Sequence, residues 1–122
     1  MPKAKGDVLK DPILKRIVEI IVKELEPDKI ILFGSRARGD YKEGSDYDIL
    51  VLKRGIKPQE RIKIMWHLKK KISRLIPEKI FDIIVQDTEE YINLSKDPFT
   101  VYSSTQKEGV VIYEHREGER VA

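Results

Sequence analysis

The chain has 122 residues, of which 40% are hydrophobic and 37% charged, enough for one modest core and too rich in apolar residues for a disordered chain. It carries 24 Lys+Arg against 21 Asp+Glu, and a net charge of +3 is too small to argue for nucleic acid on its own. There is no Cys, which excludes disulfides and zinc–thiolate sites, and no apolar run long enough to span a membrane. The basic start Met1-Pro2-Lys3-Ala4-Lys5 is not followed by an apolar signal region, so a cytoplasmic protein without membrane association is expected. High Lys and Glu content with a single Asn and three Gln is a compositional hint of a thermophilic source.

Taken in order, residues 1–10 read as a loose arm and Asp11-Pro12 as a helix cap followed by the first helical position. Leu14, Ile17, Val18, Ile21 and Leu25 then fall on one helical face, and Pro27 ends the helix. Lys29 to Phe33 reads as a strand buried on both faces. It stops at Gly34-Ser35, where Gly34 permits a sharp turn and close backbone approach, and Ser35 is a candidate N-cap for a short turn through Arg36, Ala37 and Arg38. Free amides at such a turn make an anion site.

Gly39 to Ser45 is a polar connector, and Asp46 to Lys53 reads as a second strand, near enough to pair antiparallel with the first. Asp46 and Asp48 are two residues apart, so a strand puts both carboxylates on one face. Such a pair repels itself unless a proton or cation intervenes, and Mg²⁺ suits a site of few carboxylates completed by phosphates and water. A phosphate cradle beside a carboxylate pair points to phosphoryl or nucleotidyl transfer.

Pro58 opens a second long helix to about Leu75, with Ile62, Met65, Leu68, Ile72, Leu75 and Ile76 as its buried stripe. Trp66 beside that stripe reads as core filler or rim contact, His67 as an exposed residue, and Lys69-Lys70-Lys71 as a solvated face. Pro77 stops the helix, and Ile80 to Val85 is a third strand interrupted by Asp82. A buried, unpaired carboxylate is costly. An edge position, or pairing with Lys79 or Arg74, would relieve it; so would a place in a cluster with Asp46 and Asp48. Thr88-Glu89-Glu90 starts a helix through Tyr91, Ile92 and Leu94; Phe99, Val101, Tyr102 and Thr105 read as another that ends near Gly109. Val110 to Tyr113 is a last short strand, and 115–122 a charged, frayed tail. The alternation predicts one α/β (α+β) domain over 1–122, with a mixed sheet of three or four strands.

Gly34-Ser35, ten intervening residues, then Asp46-Tyr47-Asp48 resembles the motif of the DNA polymerase beta-like nucleotidyltransferases. The fuller runs Gly-Ser-Arg-Ala-Arg-Gly and Ser-Asp-Tyr-Asp-Ile-Leu-Val are similar to those of the minimal nucleotidyltransferase (MNT) group, whose members are often antitoxins of HEPN-domain toxins. The resemblance implies a nucleotidyltransferase core with helices mainly on one side of the sheet. It implies Asp46, Asp48 and Asp82 as catalytic residues and ligands of Mg²⁺, two ions in all. It implies Gly34, Ser35, Arg36, Arg38 and Ser45 as nucleotide contacts, Arg38 ranking above Arg36, though either arginine could be a structural ion pair. ATP is the implied donor, and a tyrosine hydroxyl of a HEPN toxin the implied acceptor, since the chain has little length to hold an acceptor of its own. Direct nucleic-acid binding is not expected, and homo- and hetero-oligomers are both compatible. The competing readings are a toxin-binding module without catalysis and a small-molecule transferase of the aminoglycoside-modifying type.

Overall fold

The computed structural model describes residues 10–42 and 44–115. The arm and tail read from the sequence lie, apart from Lys10 and His115, outside those residues. The elements run α1 (Pro12–Leu25), β1 (Lys29–Phe33), α2 (Ser35–Arg38), β2 (Tyr47–Lys53), α3 (Pro58–Leu75), β3 (Phe81–Asp87), α4 (Thr88–Ser95), α5 (Val101–Glu108) and β4 (Val110–Glu114). The strands form one mixed sheet in the order β3-β2-β1-β4. β1 pairs antiparallel with β2 and with β4, and β2 pairs parallel with β3. The parallel pair needs a crossover, which α3 supplies.

The ends of α1 follow the sequence signals. Asp11 Oδ1 accepts from the Ile13 amide at 2.9 Å, Pro12 takes the first turn, and Glu26 closes the helix in the left-handed region at φ 52°. Leu14, Ile17 and Ile21 are buried against Leu68, Ile72 and Ile76 of the α3 region and one face of the sheet, forming the main core. Glu24 on α1 clips the two long helices together, 2.7 Å from Lys71 Nζ and 3.4 Å from His67 Nε2. These contacts hold its carboxyl below the usual carboxylate range.

The short helices α4 and α5 cover only part of the opposite face. Ile31, Leu50, Leu52 and Tyr91 form a smaller cluster there, and Tyr91 meets Tyr102 edge-on at 5.8 Å. The long helices therefore sit on one face, while the Asp48 end of the other is left uncovered. No helix among the described residues is long and apolar enough to cross a membrane.

Three local readings are corrected. Ile62 and Leu75 are 64% and 47% exposed, because α3 buries only the narrower stripe through Leu68 and Ile72. Trp66 is 68% exposed, which rules out the core-filler reading and leaves the rim contact. Phe99 precedes α5 instead of joining it: its amide bonds Asp97 Oδ1 at 2.9 Å, and Thr100 is the cap, accepting from the Ser103 amide.

Asp87 joins two elements at the far end of the sheet. It accepts from the Gly55 amide at 2.7 Å and caps α4 through the Glu90 amide at 3.1 Å. Burial opposes ionisation, but the amides of Glu90, Gly55, Ile56 and Glu89 outweigh it and hold the pKa below its ordinary value. Replacing Asp87 by Ala should cost about 1–2 kcal/mol, as for other lost caps. The folded pKa is the lower one, so this stability is complete above the unfolded value of about 3.9 and is lost as pH falls through the depressed value. Urea titrations of both proteins should converge in acid.

Candidate active site

The site is built where β1 ends. Gly34 lies at φ 72°, ψ −159°, a conformation open essentially to glycine alone. It, and not Ser35, occupies the N-cap of α2; its carbonyl accepts from the amides of Ala37 and Arg38, each at 3.1 Å. Ser35 is the first helical residue, which leaves the Ser35 and Arg36 amides at the open start of the turn. A Cβ at Gly34 would collide with Asp48 Oδ2 and stand 3.1 Å from its Cγ. The turn therefore lies directly against the Asp48 carboxylate.

Asp48 is the second residue of β2, with Phe33 opposite it on β1 and Asp82 on β3. Register partners on neighbouring strands share a face, with backbones roughly 4.8 Å apart. Asp46 precedes β2 by one residue, and Asp46 and Asp82 are both exposed, while Asp48 is half-buried. Burial pushes the Asp48 carboxyl above its usual range, the negative charges of Asp82 and Asp46 push it further, and Arg38 partly offsets them. Asp82 also lies on the edge strand, so its exposure and its proximity to Asp48 occur together, and no ion pair to Lys79 or Arg74 forms.

The two arginines part ways. Arg36 is only 8% exposed, with its guanidinium 4.0 Å from the Tyr47 ring centre and 4.5 Å from that of Tyr41. Its Nε donates to the Ser45 carbonyl at 3.1 Å, and Asp11 Oδ2 lies 4.0 Å away. Tyr47 in turn donates its hydroxyl to Asp11 Oδ2 at 2.7 Å; burial, then this bond, raises the phenol pKa. Arg36 thus spends its charge tying α1, α2 and the 41–45 loop together, beneath the residues that carry Asp46. Arg38 is exposed, with Nε 3.3 Å from Asp40 Oδ2 and a terminal nitrogen 3.7 Å from Glu108 Oε2. Ser45 turns its hydroxyl to the Lys42 amide at 3.0 Å and shapes the loop.

Asp11, Tyr41 and Glu108 were not singled out in the sequence as neighbours of this site. Asp11 and Tyr47 are 36 positions apart, and no local pattern couples them. Replacing Arg36 by Ala should destabilise the fold by about 2–4 kcal/mol, from lost cation–π contact and an unpaired carbonyl. Lys should recover only part, since it lacks the planar fork. Denaturant midpoints at constant m decide it.

Whether these side chains suit a divalent cation follows from their chemistry. The donors are hard carboxylate oxygens; burial first, and then the charges of Asp82 and Asp46, raise the Asp48 pKa, and a cation relieves the repulsion. Among the described residues no group of three or more Asp, Glu, His or Cys side chains is already arranged to hold a metal ion. Mg²⁺ typically binds one or two carboxylates plus substrate phosphates, without a complete protein cage. Asp46 and Asp48 would hold it, with Asp82 alongside.

Known proteins resemble this chain in sequence and in fold. Residues 15–118 match the family model described as polymerase beta, nucleotidyltransferase. A stretch of 38 residues is 53% identical to a candidate protein adenylyltransferase, MJ0141, of Methanocaldococcus jannaschii; it spans 31% of this chain and 37% of that relative. A crystal structure of a candidate nucleotidyltransferase from Sulfolobus solfataricus superposes with a TM-score of 0.60 at 29% identity, covering 93% of this chain and 86% of the other. A toxin–antitoxin structure with AMP-PNP gives 0.58 at 19% identity, over 88% and 77%. A mutant of the toxin–antitoxin MntA-HpeT, with a tyrosine changed to alanine, gives 0.57 at 18% over the same shares.

Proposed function

The chain belongs to the polymerase beta nucleotidyltransferase family, and from that premise we propose that it transfers AMP from ATP to a tyrosine hydroxyl of a HEPN-type toxin, silencing it as an antitoxin. The observation that carries this reading is the contact of the Gly34 turn with Asp48, whose register partner is Asp82. It sets the Ser35 and Arg36 amides beside carboxylates from two strands, which supports reading the turn as the phosphate site. The toxin–antitoxin neighbour with AMP-PNP supports the nucleotide class and the kind of partner. A further MntA-HpeT mutant changes two aspartates, two positions apart, to glutamate, the spacing of Asp46 and Asp48 here.

In the proposed reaction the amides at Ser35 and Arg36, together with Arg38, take the β- and γ-phosphates. For Arg38 this means exchanging Asp40 and Glu108 for phosphate. Asp46 and Asp48 would hold Mg²⁺, and Asp82 would assist a second ion. Bound there, the metal would supply charge neutralisation and lower the pKa of an acceptor hydroxyl. Asp82, at the exposed edge, accepts the proton. The tyrosine oxygen bonds to the α-phosphorus, the α–β phosphoanhydride bond breaks, and pyrophosphate leaves with its electrons. Arg36 contributes by fixing the loop beneath Asp46, not by touching ATP.

The test is incubation with labelled ATP, Mg²⁺ and the protein encoded by the neighbouring gene, followed by mass spectrometry. AMP on a tyrosine of that protein, absent with Asp46→Asn, is expected. ATP binding without modification of the partner, or full neutralisation by Asp46→Asn, would leave a binding module instead.

A further inference from the structure

β3 is an edge strand, and its outer side is not uniformly open. The Tyr47 amide bonds the Ile80 carbonyl at 3.1 Å, so the peptide groups of residues 80 and 82 face β2. By alternation those of Phe81, Ile83 and Val85 face outward. The Val85 carbonyl is already taken by Arg61 Nε at 2.8 Å. Among the described residues the outward peptide groups of Phe81 and Ile83, which flank Asp82, bond no other element, although each residue as a whole is only 4% exposed. Unpaired strand edges invite another strand unless blocked. Here the block stops short of the candidate active site.

The neighbouring helix supplies a second feature. One flank of α3 is committed to α1 through His67 and Lys71, which meet Glu24. Next to Arg61, which reaches the outward Val85 carbonyl, the helix exposes Ile62 and Trp66, one turn apart, at 64% and 68%. Ile80, two residues before Asp82 and therefore on its face, is 67% exposed. Lys63, Lys69 and Lys70 border the flank, all exposed and none in an ion pair among the described residues.

We propose that the free edge of β3 and the Ile62–Trp66 flank of α3 form the acceptor-docking surface. The occupant is an extended segment of a protein acceptor that pairs with Phe81 and Ile83 as an added strand and so carries its hydroxyl to Asp82. Main-chain bonding gives affinity in such strand addition, and side-chain pockets give specificity. The exposed aromatic anchors an apolar residue of the segment. The three lysines select a segment with acidic neighbours. Paired apolar residues one helical turn apart, beside an open strand edge, suit a polypeptide better than a nucleic-acid strand. The inference rests on the transferase reading above for its acceptor, but not for its geometry.

The test uses the full chain and the neighbouring-gene protein. Amide exchange is measured on Asp46→Asn, which holds the complex without turnover. Protection of Phe81 and Ile83 by tenfold or more on complex formation is expected. In the otherwise wild-type enzyme, Ile62→Glu with Trp66→Glu should raise the KM for the acceptor at least tenfold. It should leave kcat and ATP affinity within twofold. Should the double variant misfold, Ile80→Lys, which adds a charge at the same edge, makes the same prediction. Protection confined to the α4–α5 face, an unchanged acceptor KM, or transfer to an RNA hydroxyl overturns the docking surface. Protection of the β3 edge without AMP transfer overturns the transferase reading and leaves the docking surface standing.

Discussion

Replacing Asp48 by Asn is expected to lower AMP transfer on the order of 10³-fold while leaving the fold intact or more stable. The two effects have one cause. Asp48 is the half-buried member of a negatively charged group, and its carboxyl is raised by burial and then by Asp82 and Asp46. In the metal-free protein its ionised form is therefore a liability, and Asn removes the charge at nearly constant shape. In the proposed reaction that same charge would hold Mg²⁺, and losing one well-placed electrostatic group commonly costs about 10²–10³-fold. Thermal melts separate the two effects. Mg²⁺ should raise the wild-type Tm by binding the folded state and should not raise that of Asp48→Asn. A large fall in Tm for Asp48→Asn without metal would instead make the residue a structural one.

The second large effect belongs to Gly34→Ala. Its backbone at φ 72°, ψ −159° already costs a non-glycine residue about 1–3 kcal/mol. The new Cβ would also collide with Asp48 Oδ2. Relief requires the turn or the carboxylate to move. A displacement of about 1 Å at a reacting centre can cost about 10²-fold in rate. Loss of at least about 2 kcal/mol in stability and of at least about 10²-fold in kcat is expected. Gly44→Ala is the control: it shares the positive φ, at 90°, but a Cβ there meets nothing within 4 Å. It should lose stability through strain alone and keep its kcat. Equal kcat losses in both variants would remove the special role of the Gly34–Asp48 contact.

Much of this protein was legible locally. Asp11-Pro12 capped α1, Pro58 opened α3, and an abrupt Gly34-Ser35 ended β1, because caps, prolines and glycines act within a few residues of themselves. The nearness of Asp46 to Asp48 is local in the same way, and the Asp46 charge acts on Asp48 although Asp46 stands just before the strand. Which charges meet across the sheet is a different matter. Asp82 becomes the neighbour of Asp48 only through a parallel register between strands joined by an 18-residue helix. Arg36 turns inward because Tyr41, Tyr47 and Asp11, drawn from three separate segments, gather around it. Trp66, which composition alone would send to a core, stays in water because α3 is already filled by Leu68 and Ile72 on one side and clipped to α1 on another. Periodicity assigns a residue to a face; whether that face is covered, left open or turned against a charge depends on partners far away in the chain, and only the assembled sheet and helices supply them.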